Sequence, residues 1–210
     1  MRVAELWRYP VKSLRGERLE RAEIAQAGIP GDRALRVADE RGTVTARRKQ
    51  RMVGLEAALG ADGEPLVAGR PWDSEAAADA IRAVAGDGAT LLRADDGRAH
   101  DAAPILVVSD AALGHLGFDR RRFRPNIVLA GAEGLEERGW VRGRLRVGAA
   151  LLFVTESCER CAITTIDPDT FAVDPDVLRR TRLELGGLMG VYCSVLVAGT
   201  VAVGDRAEVV

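Results

Sequence analysis

The shortage that says most about this sequence is that of thiol and imidazole side chains. It contains three cysteines and two histidines, and only Cys158 and Cys161 lie close together, in a C-x2-C spacing. An odd number of cysteines disfavours a disulfide scaffold and favours a reducing compartment. A zinc site needs four ligands, and beyond this pair the sequence offers only Cys193, His100 and His115. Zinc is therefore the minor alternative.

The sequence also lacks an excess of one charge and any long apolar run. Its formal net charge is -1, which removes the electrostatic basis for binding nucleic acid or an acidic membrane surface. No apolar segment approaches the roughly 20 residues of a membrane-spanning helix, and the charged N-terminus lacks the apolar centre of a signal peptide. We therefore expect a cytoplasmic protein with no nucleic-acid and no membrane partner.

What is present is a globular composition, with 47% hydrophobic and 29% charged residues in 210. Many short apolar segments separated by turn residues predict a mainly β architecture. The strands are expected at 3–7, 18–25, 33–38, 103–108, 127–130, 144–153, 191–197 and 206–210. Helices are expected at 73–84, capped by Asp73 or Ser74, at 109–116, capped by Ser109, and at 176–186. Residues 53–96, rich in Ala, Gly and Asp, read as a small α/β insert.

The segment 155–170 contains the most reactive chemistry of the sequence. It holds Cys158, Arg160 and Cys161, and it continues into the β-branched run 163–166, which predicts a strand. The two thiols leave three possibilities open: a redox pair, half of a zinc site, or one thiolate ligand beside a bystander. A soft thiolate suits a high-valent metal already held by a dithiolene, and Arg160 would favour the ionised thiol. A thioredoxin-like pair is disfavoured because it should open a helix.

Six short motifs occur in one order along nearly the whole chain. They are Tyr9-Pro-Val-Lys-Ser13, Gly31-Asp-Arg33, Thr45-Ala-Arg47, Phe123-Arg-Pro-Asn-Ile-Val128, Cys158-x-x-Cys-x-x-Thr-Thr-x-Asp-Pro-Asp-Thr170 and Gly190-Val-Tyr192. Any one of them alone is a weak signal, whereas the ordered set is specific. Together they resemble the MOSC-domain proteins with their N-terminal region. That group includes the amidoxime-reducing molybdenum proteins and the C-terminal domain of molybdenum cofactor sulfurases.

The resemblance implies a MOSC-type β-barrel made by residues 1–52 and 97–210, with residues 53–96 as a small α/β subdomain. It implies a molybdenum-pterin cofactor in a cleft, with Cys161 as the thiolate that binds the metal. The cofactor contacts that it implies are Lys12, Ser13, Arg33, Arg124, Arg160 and Tyr192. Asp101 and Asn126 join Cys161 as candidate catalytic residues, Asp101 as a proton donor and Asn126 as an orienting group. Pyridoxal phosphate binding is a further family attribute, and no residue here is assigned to it.

Each implied role has a plain structural alternative. A single arginine is often a surface ion pair, Asn126 could be a turn residue, and Asp101 could cap a strand end. Tyr192 could simply pack in the core. The sequence also departs from the reductases at a few positions. Ala102 and Ala103 replace a Thr-Ser pair, Glu159 stands at an expected serine, and Phe171 stands at a usual glycine.

The function expected from the resemblance is a molybdenum-dependent reductase of N-oxygenated compounds, such as N-hydroxylated bases. The sequence has no cluster-binding cysteine set and no flavin or nicotinamide fingerprint. Separate electron-transfer proteins are therefore expected as partners, and NADH alone should not sustain turnover. The alternative is a non-catalytic carrier that delivers molybdenum cofactor or its sulfur.

Overall fold

The computed structural model describes residues 1–94 and 101–210, so His100 and the predicted boundary at residues 96–97 lie outside the described residues. The described strands are β1 (Arg2–Arg8), β2 (Glu17–Leu19), β3 (Arg21–Ile24), β4 (Leu35–Asp39), β5 (Gly42–Val44), β6 (Ala57–Leu59), β7 (Pro65–Val67), β8 (Arg70–Pro71), β9 (Thr90–Arg93), β10 (Ile105–Ser109), β11 (Ile127–Ala130), β12 (Arg144–Val147), β13 (Ala150–Glu159), β14 (Leu188–Val197), β15 (Gly199–Ala202) and β16 (Ala207–Val209). The helices are α1 (Glu75–Ala85), α2 (Asp110–Leu116) and α3 (Pro175–Leu185). Short 3-10 turns occur at Gln50–Gly54, Arg120–Phe123, Glu136–Trp140 and Ala162–Thr165. The predicted mainly β class is confirmed.

The largest sheet is curled and has eight strands in the order β16-β12-β13-β14-β10-β11-β1-β2. Its pairs are antiparallel except β10 with β11, which are parallel. The sheet therefore joins the two N-terminal strands to strands from the second half of the chain.

Strand β10 explains how this sheet is packed on both faces. Ile105 and Val107 point into one core cluster, which the curled sheet encloses, while Leu106 and Val108 point into another. The second of these clusters is covered by α2 and α3, which supply Leu113 and residues such as Val177. Because both faces are covered, the strand is apolar at successive positions rather than alternating with polar residues.

A separate core cluster lies between the small sheets β5-β4-β9 and β6-β7-β8 and helix α1. It contains Leu35 and Val37 from β4 as well as Ala77 and Ile81 from α1. Residues on both sides of residue 53 therefore share this core. The division into 1–52 with 97–210 and an insert at 53–96 stays a prediction.

The three helices begin and end at the residue types that capping chemistry favours. Ser74 accepts a hydrogen bond from Ala77 N at 3.2 Å, and Ser109 accepts one from Ala112 N at 3.1 Å. Helix α3 starts with Pro175 after its cap Asp174 and ends at Gly186 in the left-handed conformation. The predicted helix positions are confirmed. Within the described ranges, no helix has the length and apolar character needed to cross a membrane.

One predicted element is wrong. Residues 163–166 do not form a strand, because the chain makes the 3-10 turn Ala162–Thr165 there. The Thr164 hydroxyl donates to the Cys161 carbonyl at 2.9 Å, and the Thr165 hydroxyl donates to the Ala162 carbonyl at 2.7 Å. Both bonds reach back three residues and favour a tight turn over an extended ladder.

Candidate functional site

One cavity of about 290 Å³ is lined by all nine of the predicted site residues. They come from loops after β1 and before β4, from the segments before β10 and before β11, from the residues that follow β13, and from β14. The nine are Lys12, Ser13, Arg33, Asp101, Arg124, Asn126, Arg160, Cys161 and Tyr192. The chain therefore brings together residues that lie far apart in sequence. Their individual roles stay predictions.

Three lining residues have a left-handed backbone that is uncommon for side chains other than glycine. The φ angles are 72° at Ser13, 52° at Arg33 and 52° at Arg124. Each costs energy relative to an ordinary conformation, and such residues cluster at binding and catalytic sites. These three side chains therefore line one cavity from backbone conformations that are higher in energy than the ordinary ones.

Arg33 and Arg124 share a buried aromatic support. Their guanidinium groups lie 5.1 Å and 4.3 Å from the centroid of the Tyr9 ring, within cation–π range. Arg33 is paired with the buried carboxylate of Asp32, which keeps the pKa of Arg33 above its usual value although burial opposes this. Burial also raises the pKa of Tyr9 to about 12.

Arg124 has no such counter-ion. Its Nη1 donates to the Leu14 carbonyl oxygen at 2.7 Å, and within residues 1–94 and 101–210 no carboxylate pairs with it. Burial, together with the positive charge of Arg33, lowers the pKa of Arg124 to about 10. Arg124 is partly buried, and a cation withdrawn from water without a paired anion is costly, so a bound anion would stabilise this position.

Asp101 and Lys12 form an ion pair across the cavity wall, with Lys12 Nζ 3.0 Å from Asp101 Oδ1. Burial alone would raise the pKa of Asp101, but Lys12 and Arg33 outweigh it and hold that pKa below its usual value of 3.8. Asp101 is thus ionised at neutral pH and is better suited to accept a proton than to donate one. The proton-donor role predicted for it would require this pair to open.

The Asn126 side chain is tied to the backbone of two neighbouring strands. Its Oδ1 accepts from Leu106 N at 3.1 Å, and its Nδ2 donates to the Trp7 carbonyl at 3.3 Å. Arg33 Nη1 also reaches Asn126 Oδ1, at 3.4 Å. Asn126 is 1% exposed, and its amide links two other strands to the cavity wall. A turn residue would instead bond to the backbone of its own loop.

Arg160 lies between the two cysteines and is 7% exposed. Its Nε donates to the Met189 carbonyl and its Nη1 to the Phe123 carbonyl, both at 2.8 Å. Its Nη2 is buried without a hydrogen-bond partner among the described residues. Gly190, with φ 78°, leaves the space for this group, since an added Cβ would lie 3.1 Å from Nη2 and 2.9 Å from the Val107 carbonyl oxygen. This explains the glycine of the Gly190-Val-Tyr192 motif.

The three cysteines are free and not equivalent. Cys158 belongs to strand β13 and is buried, while Cys161 is partly exposed at the start of the 3-10 turn, and both line the cavity. Cys193 packs in the core of the curled sheet, where burial raises its pKa to about 12. Among the residues that the structure describes, no three His, Cys, Asp or Glu side chains are grouped to hold a metal ion.

Sequence reasoning missed several residues of the cavity. Thr45 and Arg47 line it, although Arg47 could equally belong to an exposed basic cluster on pattern alone. Their occurrence in the Thr45-Ala-Arg47 motif was the available signal. Glu159 and Thr164 also line the cavity, one on each side of Cys161.

Comparison with known proteins identifies the family. Residues 96–208 match the MOSC domain, and residues 1–103 match the MOSC N-terminal beta barrel domain. The chain is 30% identical to mitochondrial amidoxime reducing component 2 of Macaca fascicularis and of Homo sapiens, over 97% of this chain and 82% of each relative. It is 27% identical to mitochondrial amidoxime-reducing component 1 of Homo sapiens, over 97% of this chain and 81% of the relative.

Among solved structures, the YUAD protein from Bacillus subtilis has a similar fold. The TM-score is 0.50 at 15% identity, and the match covers 99% of this chain and 94% of the other. At that identity the likeness concerns the fold alone. The family matches cover both halves of the chain in the order in which the motifs occur. The chain belongs to the MOSC-domain family and carries both the MOSC domain and the MOSC N-terminal beta barrel domain.

Proposed function

We propose that this protein binds a molybdenum-pterin cofactor in the cavity and reduces N-hydroxylated compounds, with electrons supplied by separate proteins. The observation that carries the proposal is that one cavity is lined by a partly exposed free thiol, Cys161, and by a partly buried cation, Arg124, which pairs with no carboxylate of the described residues. The relatives named amidoxime reducing components support the same reaction class.

The chemistry of the lining fits such a cofactor. Lys12, Arg33 and Arg124 provide donors for its phosphate, and charge-assisted bonds of this kind are worth roughly 1.5–3 kcal/mol each. Cys161 provides a soft ligand for the metal. Arg160 precedes Cys161 in the chain, and its buried Nη2 has no hydrogen-bond partner among the described residues, so it could donate to a bound cofactor. The cavity volume of about 290 Å³ is close to the lower end of ligand sites, roughly 300–1,000 Å³.

When bound, the cofactor supplies the two-electron chemistry that cleaves the N–O bond. An N-hydroxylated base then accepts two electrons and two protons, and it leaves as the reduced base and water. The side chains of this chain hold and orient the reactants and manage protons. Lys12 and Arg33 hold Asp101 in its ionised form, so Asp101 would first accept a proton and then pass it on.

The test is to express the protein in a host that makes the cofactor and to measure metal, pterin and amidoxime reduction on the same preparation. A chemical reductant replaces the partner proteins in this assay. Molybdenum and pterin near one per chain together with reduction of the amidoxime would support the proposal. Stable occupancy without reduction would favour the carrier alternative. Absence of molybdenum and pterin from the purified protein would overturn both.

A further inference from the structure

Residues 47–51 form an exposed basic segment beside the cavity. Four of the five residues are cations, and the wider stretch 41–55 contains no aspartate or glutamate. The four are Arg47, Arg48, Lys49 and Arg51, and each is exposed. In the described part of the chain, no carboxylate forms an ion pair with any of them. A protein with a net charge of -1 therefore carries a concentrated positive surface at this segment.

The basic segment is held by the core on both sides. Ala46 precedes it, Met52 follows it, and both are fully buried. The backbone amides of Arg48 and Lys49 donate to the Thr45 carbonyl oxygen at 2.9 Å and 3.1 Å. The cations thus project from a hydrogen-bonded turn that is anchored in the core, so their charges are concentrated in one place.

The basic segment is also continuous with the cavity. Arg47 lines the cavity and is itself exposed, and Thr45, where the turn starts, lines the cavity as well. Arg48 and Arg51 do not line it. A macromolecule that binds the basic segment would therefore lie against the edge of the cavity, while part of its binding surface stays separate from the cavity lining.

We propose that the basic segment 47–51 is the docking surface for an electron-transfer protein with an acidic face. This rests on the proposed function, which consumes two electrons for each N–O bond. The sequence has no flavin or nicotinamide fingerprint and no cluster-binding cysteine set, so the donor must approach the cavity from outside. Complementary charge raises the rate of such an encounter and fixes the orientation of the partner.

An acidic protein suits this surface better than nucleic acid or an anionic membrane does. Proteins that bind duplex DNA commonly contact roughly 6–10 phosphates, which is more than four cations provide. A segment that lies in a membrane interface also inserts apolar side chains. The apolar neighbours Met52 and Val53 are instead buried in the core, so the basic segment offers charge without an apolar anchor.

The docking surface can be tested with an acidic flavodoxin in its hydroquinone form, with cofactor-loaded protein and an amidoxime. Two hydroquinones are each oxidised to the semiquinone and supply two electrons, and solvent supplies two protons. The N–O bond is cleaved, and the products are the amidine and water. Wild-type kcat/KM for flavodoxin should fall as the salt concentration rises from about 0.01 M to about 0.1 M, because the Debye length shortens from about 30 Å to about 10 Å.

The variant Arg48→Glu/Arg51→Glu reverses two charges outside the cavity lining. At low salt it should lower kcat/KM for flavodoxin about tenfold, and the difference from wild type should shrink as salt is added. Amidoxime reduction driven by dithionite should be unchanged. The matched control is Arg144→Glu/Arg146→Glu, which reverses two exposed charges on β12, a strand that does not line the cavity. The control should behave as wild type with both reductants.

Equal effects of the two double variants, or flavodoxin-driven turnover that neither variant changes, would overturn the docking proposal. So would wild-type protein that turns over with dithionite but not with flavodoxin. Vesicles containing phosphatidylserine that bind wild type but not Arg48→Glu/Arg51→Glu, with flavodoxin turnover unchanged, would assign the segment to a lipid surface instead.

Failure of loaded wild-type protein to reduce the amidoxime with dithionite would sink the proposed function rather than the docking surface. The docking surface is then judged by binding of oxidised flavodoxin to the cofactor-free protein at low salt. Loss of this binding in Arg48→Glu/Arg51→Glu but not in the control would support it, and equal binding by all three proteins would overturn it.

Discussion

At the scale of single residues, the two cysteines of the C-x2-C pair should behave differently. We expect Cys161→Ser to abolish amidoxime reduction, because an alkoxide is a harder ligand and a serine hydroxyl is rarely ionised. Cys158→Ser should keep much of the activity, since Cys158 is a buried residue of strand β13 and not the predicted metal ligand. Molybdenum content and turnover of both variants, measured side by side, check this. Equal loss in the two would indicate a zinc site or a dithiol pair.

Arg124 is the residue whose removal should most directly weaken cofactor retention. Arg124→Ala removes a partly buried cation that pairs with no carboxylate in the described part of the chain, so pterin content should fall while the fold persists. The loss of one charge-assisted bond corresponds to roughly 10- to 150-fold weaker binding. Fluorescence of the oxidised pterin, normalised to protein, measures it, with circular dichroism to follow the fold. Arg41→Ala is the matched control, because Arg41 is exposed beside Glu40. Wild-type pterin content in Arg124→Ala would contradict the assignment.

Phe171 stands where the resembling reductases carry glycine, and the structure gives the reason. Its φ angle is 64°, in the left-handed region that glycine adopts without strain. Phe171→Ala and Phe171→Gly lose the same aromatic packing, but only the second relieves the backbone. Phe171→Gly should therefore be more stable than Phe171→Ala by about 1 kcal/mol in urea unfolding. Equal stability of the two would show that the strain is relaxed.

The sequence was a good guide to which residues meet and a poor guide to how they interact. Seven of the nine lining residues are named positions of the six motifs, whereas Asp101 lies outside them and Arg160 is an unspecified position between the two cysteines. The ionised state of Asp101 depends on Lys12, far away in sequence, and no local pattern encodes that pairing. The register of β13 against β14 shifts by one residue opposite Cys158, and a one-residue register change leaves no trace in the alternation of apolar residues.

At the scale of elements, the same limit explains the error at residues 163–166. β-branched residues in a row favour a strand, yet threonine hydroxyls can bond to carbonyls three residues back and close a turn. The helices were easier to predict because their caps, Ser109 and Gly186 among them, are local signals.

The 3-10 turn that follows Cys161 is held from outside by Arg122. Its Nη1 donates to the Thr165 carbonyl at 2.9 Å and its Nη2 to Asp167 Oδ2 at 2.7 Å. Arg122→Met keeps the bulk and removes both bonds, so it should lower the free energy of unfolding by about 1–2 kcal/mol and reduce metal content. Arg179→Met, which breaks an exposed pair with Asp176, should change little. Denaturant unfolding and metal analysis of both variants check this. Equal effects in the two variants would show that the bonds of Arg122 contribute no more than an exposed ion pair.

At the scale of the whole molecule, acid should unfold the protein through its paired carboxylates. The pKa values of Asp101, Asp119, Asp167, Asp169 and Glu184 are all lowered in the fold. At Asp167 the cause is hydrogen bonding from the backbone of Thr170 and Asp169, and at Asp169 it is bonding from Arg121.

A carboxyl with a lowered folded pKa stabilises the protein above its unfolded pKa, and that stability is lost as pH falls through the folded value. The free energy of unfolding should thus be steady near neutrality and decline between about pH 5 and about pH 2. Urea titrations across this range measure it. Asp167→Asn retains an oxygen acceptor but not the charge, so its decline should be shallower than that of wild type. An identical profile would exclude Asp167 as a contributor.

The curled sheet has a consequence for how the chain is made. Strand β1 pairs with β2 and with β11, which starts at Ile127, and Val3 N bonds to the Asp205 carbonyl at 2.8 Å. A ribosome adds about 5–20 residues per second, so β1 emerges on the order of ten seconds before its main neighbour exists. During that interval only the short hairpin with β2 is available, and Val3 and Leu6 stay in water. Strand β1 is therefore made well before β11 and is enclosed only after that strand has been synthesised.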